Sequence, residues 1–279
     1  MQDHQASRTA LGVAYIRAAH QILDSHPLLF ADPVAVRFLG PDTADAIHGM
    51  IARHQHPRGR GLRSHVCLRA RFAEDMLAEE AANGATTYVL VGAGFDTFAF
   101  RQPHFAKGMR IVEIDHPATQ AAKRQMIAAA ELTVPENLRF AAADFTREGL
   151  GDVLGRLGID PNEGVYFSWL GVSMYLTEAD IDKSLEAMAK VSTRASITLT
   201  FRQPPDPSMP AEKEIADVVA AMGEPFISAF SEEAMAEKLK QKGFAQQNFL
   251  DPENAATRYY AEQRDLPPPR RTTIVHAAR

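Results

Sequence analysis

The chain has 279 residues, 46% hydrophobic and 23% charged, the composition of an ordinary globular protein with enough apolar sequence to fill one large core. A formal charge of −5 gives no general electrostatic reason to bind nucleic acid or an anionic membrane. A single cysteine, Cys67, excludes an internal disulfide and a cysteine-based zinc cluster, and reads as a buried packing residue in a reducing compartment.

No stretch of eighteen apolar residues occurs, and the residues after Met1 lack an apolar run of signal-peptide length, so a cytoplasmic protein is expected. Residues 7 to 24 read as a helix, with Leu11, Ala14, Ala18 and Ile22 at spacings of three and four. Asp32-Pro33 has the form of an N-cap followed by a proline at the first helical position, and that helix ends at Gly40-Pro41. A third helix is expected over 43 to 53. Residues 1 to 60 therefore form a helical cap able to close over a pocket, followed by a core of residues 61 to 279. The histidines at the end of the cap, His48, His54 and His56, are not read as a metal site. From about Ser64 a further helix carries Arg69 and Arg71, which are too close in sequence to share a face. One of the two can point at a ligand carboxylate; solvated arginines on a surface helix are the alternative reading.

Thr86 to Thr97 is the stretch that organises the rest. Tyr88 to Val91 is a short apolar run, preceded by Asn83-Gly84 and ended by Gly92-Ala93-Gly94, so it reads as a buried parallel strand running into a tight turn. The glycines let the backbone approach a ligand that a Cβ would push away. A dinucleotide-binding turn wants a third small residue where Thr97 stands, and Asp96 is unfavourable beside a pyrophosphate. An acid there suits the α-amino group of a zwitterionic ligand such as S-adenosyl-L-methionine.

The second strand, Met109 to Asp115, alternates so that Glu113 and Asp115 share a face. Asp115 lies nearer the strand tip, where ribose hydroxyls are held, while Glu113 is expected to bond neighbouring backbone amides. A helix over 117 to 131 leads to the strand Leu138 to Ala143, which ends in Asp144 and Phe145. An acid and an aromatic suit adenine there; a turn residue and a core residue are the alternative reading. The fourth strand runs from Gly164 to Leu170, and Thr177 begins a helix with a capping box. The fifth strand, Ala195 to Phe201, opens into the proline-rich loop 202 to 210, the start of a substrate-side segment near 202 to 230. Helices near 211 to 222 and 231 to 242 follow, the second ending at Gly243, with final strands at 245 to 250 and 272 to 276. This alternation is an α/β doubly wound sheet with helices on both faces.

Three segments, Val91 to Arg101, Val112 to Pro117 and Ser168 to Thr177, together resemble the leucine carboxyl methyltransferase family. The similarity is closest to its bacterial branch of O-methyltransferases of polyketide and other secondary metabolism. The resemblance implies the class I methyltransferase fold, a Rossmann-like seven-stranded sheet with the last strand inserted antiparallel, and S-adenosyl-L-methionine as methyl donor. It places Arg69 on the methionine carboxylate and Gly92, Ala93 and Gly94 under the methionine portion. Asp115 with His116 then lies at the ribose, and Asp144 with Phe145 at the adenine. Leu170 stands where phosphatase-directed members carry a Glu facing the cofactor. The implied activity is methyl transfer to a carboxylate or hydroxyl oxygen of a small molecule or peptide C-terminus. Tyr175 and Arg202 are substrate-side candidates, with Tyr175 and His116 as possible bases if the acceptor is a hydroxyl. A nicotinamide-dependent oxidoreductase and a non-catalytic cofactor or metabolite binder are the alternatives on the same fold.

Overall fold

The computed structural model describes residues 6–145, 147–206, 217, 220–221, 223–262 and 265–279. In chain order the helices are α1 (Arg8–Leu23), α2 (Ala35–Leu39), α3 (Thr43–Gly49), α4 (Ile51–Gln55), α5 (Pro57–Ala82), α6 (Phe98–Arg101), α7 (Pro117–Ala129), α8 (Leu150–Gly155), α9 (Glu178–Val191), α10 (Glu232–Gln241) and α11 (Pro252–Tyr259). The strands are β1 (Ala85–Val91), β2 (Arg110–Asp115), β3 (Leu138–Ala142), β4 (Gly164–Trp169), β5 (Arg194–Thr200), β6 (Gln246–Phe249) and β7 (Ile274–Ala278). They form a sheet of order β3-β2-β1-β4-β5-β7-β6. Strands β1 to β5 are parallel, and β7 lies antiparallel between β5 and β6.

The continuous apolar runs are explained by layering. Val89, Val91, Phe167, Trp169, Ile197 and Leu199 face a core closed by Leu154, Ile181, Leu185, Met188, Met235 and Leu239 of α8, α9 and α10. Their sequence neighbours Tyr88, Leu90 and Tyr166 point to the other face, against Cys67, Leu68, Phe72 and Met76 of α5. Strands covered on both faces have no polar alternation to show. Burial pushes the Cys67 thiol up to about 12, which suits an inert packing residue. No helix among the described residues is long and apolar enough to cross a membrane.

Several local expectations change. The third helix is broken at Met50 into α3 and α4. Helix α5 begins at Pro57, because His56 accepts a hydrogen bond from the Arg58 N–H and Pro57 takes the first helical position. Helix α11, absent from the expected elements, starts with Asp251 as N-cap before Pro252, whereas at Asp32-Pro33, which carries the same signal, helix α2 begins only at Ala35 with Val34 as its N-cap. The final strand begins two residues later than expected, at Ile274. Gly243 takes the positive φ of +94° that ends α10, as anticipated. Most of the expected helix near 211 to 222, and loop residues 207 to 210, lie outside the described residues.

Candidate active site

Because β1 and β4 lead their chains to opposite sides of the sheet, a crevice opens beyond their C-terminal ends, where ligands of such sheets bind. The glycine turn after β1 lies there, with φ of +72° at Gly92 and +52° at Gly94. What fills the missing Cβ positions differs from the expectation of ligand space. A Cβ on Gly92 would lie 2.4 Å from Val172 Cγ2, and one on Gly94 would lie 3.1 Å from the Ala10 methyl of α1. Gly92 is therefore required by the protein's own packing, while at Gly94 the Ala10 contact is tight and the positive φ favours glycine as well. The Gly94 N–H donates to Asp115 Oδ2, and the His116 N–H donates to Asp115 Oδ1 at 2.6 Å. Burial raises the Asp115 carboxyl against the pull of these two amides. His116 is the N-cap of α7, its Nδ1 accepting from the Ala118 N–H at 3.2 Å. That nitrogen is engaged, so the ring is fixed as a cap.

Glu113 shares the face of Asp115, as the alternation requires, but it does not bond backbone amides. Its Oε2 pairs with Lys123 Nζ of α7 at 2.5 Å, with both side chains almost fully buried. Burial pushes the Glu113 carboxyl up to about 7 despite the ammonium beside it.

The anticipated role of Asp96 changes as well. Arg17 of α1 occupies it, with Nη1 at 2.7 Å from Asp96 Oδ2, while its Nη2 reaches Asp32 Oδ2 at 2.6 Å. Arg101 pairs with Glu74 at 2.5 Å and lies 3.3 Å from Asp32. The Thr97 hydroxyl joins Arg17, Arg101 and Asp32, and the Phe30 ring receives both guanidinium groups on its faces. Burial alone would raise Asp96, but Arg17, Arg101 and Lys123 together hold it down at about 2. Thr97 is thus a junction of a buried ion network that fastens the helical cap to the turn.

The α5 arginines separate as the spacing requires. Arg71 is exposed and pairs with Asp75. Arg69 turns inward, its guanidinium lying where a Cβ on Gly171 would sit, 2.8 Å away at the nearest nitrogen. Gly171, with φ of +73°, follows half-buried Leu170 at the end of β4. Among the described residues no carboxylate pairs with Arg69, and burial lowers its guanidinium to about 10. Tyr175 is close enough for the Arg69 charge to act on its phenol, which burial nonetheless raises. The Tyr175 ring packs against Phe226 at 5.5 Å between centroids, and the Arg202 guanidinium lies over the Phe226 ring, 5.0 Å from its centroid. Glu224 accepts hydrogen bonds from Ser7 and Thr9 at the start of α1, bringing this segment against the cap.

At the end of β3, Asp144 forms an ion pair with Arg147 at 3.3 Å, and Phe145 is 37% exposed, so the alternative of Phe145 as a core residue does not hold. The structure therefore brings Arg69, Leu170, Tyr175 and Arg202 to one side of the glycine turn, and Asp115, His116, Asp144 and Phe145 to the tips of β2 and β3. His65, Thr9, Glu224 and Phe226 are not singled out by the sequence. Only His65 leaves a signal there, its spacing of four from Arg69 on one helix.

A parallel sheet with β7 inserted antiparallel, a glycine turn after β1 and an acid at the tip of β2 defines the S-adenosylmethionine-dependent methyltransferase class. A crystal structure of a provisionally named methyltransferase from Thermobifida fusca superposes with a TM-score of 0.58 at 15% identity, covering 100% of this chain and 96% of that one. Residues 10–189 match the model of the leucine carboxyl methyltransferase family, and the chain belongs to that family. The Bacillus subtilis protein YktD, provisionally named an S-adenosyl-L-methionine-dependent methyltransferase, is 28% identical over 299 residues, 95% of each chain. A Parafrankia protein of the same description is 31% identical over 199 residues, 68% of this chain and 60% of that one. The chain is an S-adenosyl-L-methionine-dependent methyltransferase. Neither the oxidoreductase nor the non-catalytic reading is favoured by these relatives.

Proposed function

We propose that this enzyme methylates a carboxylate oxygen of a small acidic metabolite, with residues 1–60 as a cap and the segment around 202–230 on the substrate side. The observation that carries the reading is Arg202. It is half-buried, rests on the Phe226 ring, and among the described residues meets no anion. Such a cation is poised for a substrate carboxylate. On this reading Arg69, also without a carboxylate partner, holds the methionine carboxylate, and the backbone of Gly92, Ala93 and Gly94 runs beneath the methionine portion. Asp115 takes a ribose hydroxyl: each of its oxygens accepts one amide hydrogen bond and retains a further lone pair. His116 stands beside it as the α7 cap. Asp144 and the exposed Phe145 frame the adenine, and Leu170 packs where other members carry an acid.

The cofactor supplies an electrophilic methyl group on a sulfonium. Arg69, the Gly92–Gly94 backbone and Asp115 would hold it and present that methyl group to the acceptor oxygen that Arg202 orients. A carboxylate acceptor has no proton to lose, which suits a site where burial keeps the Tyr175 phenol protonated and His116 is held as a cap. Placing the acceptor in line is worth about 7–11 kcal/mol by orientation alone.

The test is incubation with methyl-labelled cofactor and a panel of small acids and their hydroxylated analogues, followed by mild alkali. A methyl ester releases labelled methanol. An alkali-stable labelled ether would move the acceptor to a hydroxyl, and no transfer to any acid would remove the carboxylate reading.

A further inference from the structure

Helix α5 runs back toward the start of β1, so residues nearer its N-terminus lie progressively farther beyond the C-terminal edge of the sheet. Arg69 reaches that edge at Gly171, and His65 stands one turn, about 6 Å, farther out on the same face. Side chains four apart on a helix can converge on one group. His65 is half-buried, and among the described residues nothing hydrogen-bonds either of its ring nitrogens. Its neighbours on α5 are engaged elsewhere. Ser64 bonds Tyr260 and the Pro267 carbonyl, and Arg63 pairs with Asp24.

Resting on the reading that Arg69 holds the methionine carboxylate, we propose that His65 donates a ring N–H to the same carboxylate. The two residues then make a two-point clamp in which arginine supplies the charge and a neutral imidazole supplies a second donor. Burial, followed by the Arg69 charge, holds the His65 imidazole down at about 3, so it is neutral and keeps one N–H at working pH. That state suits a hydrogen-bond donor and makes a poor proton acceptor. Serving as a base for a hydroxyl substrate is therefore the weaker use of this ring.

The test is calorimetric titration of the full chain and of His65→Ala, His65→Gln and Arg69→Lys with two product analogues. S-adenosyl-L-homocysteine carries the carboxylate, whereas 5′-methylthioadenosine lacks it. We expect His65→Ala to weaken S-adenosyl-L-homocysteine binding about tenfold and to leave 5′-methylthioadenosine binding within about twofold of wild type. His65→Gln, which keeps an N–H donor, should recover part of the loss. Equal losses for both analogues would show that His65 merely supports the fold, and an unchanged affinity for both would overturn the clamp. If the wild type binds neither analogue, or Arg69→Lys affects neither selectively, the underlying placement of the methionine carboxylate falls, and the clamp falls with it.

Discussion

Two inward-facing arginines of this protein meet opposite situations. Arg17 is held by Asp32, Asp96 and Thr97, and its companion Arg101 by Glu74 and Asp32. Arg69 also turns into the interior, yet among the described residues no carboxylate answers it. Burial works against the charge in both, but Asp96 and Asp32 raise the Arg17 guanidinium above its ordinary value, whereas Arg69 falls to about 10. A charge buried with partners holds a structure in one arrangement. A charge buried without them is a standing cost, and it persists where a ligand repays it.

The strongest way to break this contrast is Arg17→Met, which would strip Asp96 of its ion pair and leave the buried Asp32 with Arg101 alone. A loss of about 3–5 kcal/mol is expected in urea unfolding; a change below about 1 kcal/mol would mean the network is incidental. Arg69→Leu should do the converse. Its unfolding midpoint should hold or rise, while affinity for S-adenosyl-L-homocysteine falls by more than about tenfold, corresponding to a lost charge-assisted pair. A collapse in stability there would erase the distinction between the two arginines. Asp115→Ala, in the same titration, should weaken binding about 10- to 100-fold. Arg202→Gln sharpens the substrate side of the comparison: KM for the acidic substrate should rise about tenfold with the cofactor affinity unchanged.

The smallest effect is on pH dependence. The folded-state value of His65 lies below its unfolded value of 6.5, so the unfolded chain binds the extra proton and stability falls as pH drops from about 6.5 toward 3. The wild type should lose about 1 kcal/mol more than His65→Gln between about pH 7 and 5.5 in urea unfolding, and parallel curves would contradict the burial of a neutral ring.

Much of the sheet was legible in advance. Tyr88 to Val91 and Val165 to Phe167 are short continuous apolar runs, and strands buried on both faces leave that mark. Helix α8 was not legible, being a short piece whose helical state is decided by packing, whereas α11, though absent from the expected elements, does carry a start signal in Asp251-Pro252. In the candidate site, Asp115 could be placed from its position at a strand tip, and Arg69 could be separated from Arg71 only as an either-or. Phe226 was hidden because a proline-containing connection carries no periodicity from which its direction could be read.

The sequence by itself determined the order of the strands along the chain, the tight glycine turn after β1, and the acid at the tip of β2. Each of these depends on periodicity or backbone freedom within a few neighbouring residues. Tertiary structure alone decided that Asp96 belongs to Arg17 and Glu113 to Lys123, that Val172 and Ala10 fill the glycine spaces, and that Tyr175, Phe226 and Arg202 gather beside an unanswered Arg69. Charge pairing and ring packing act over a few ångströms between residues distant in the chain, and no local pattern records which of them will meet.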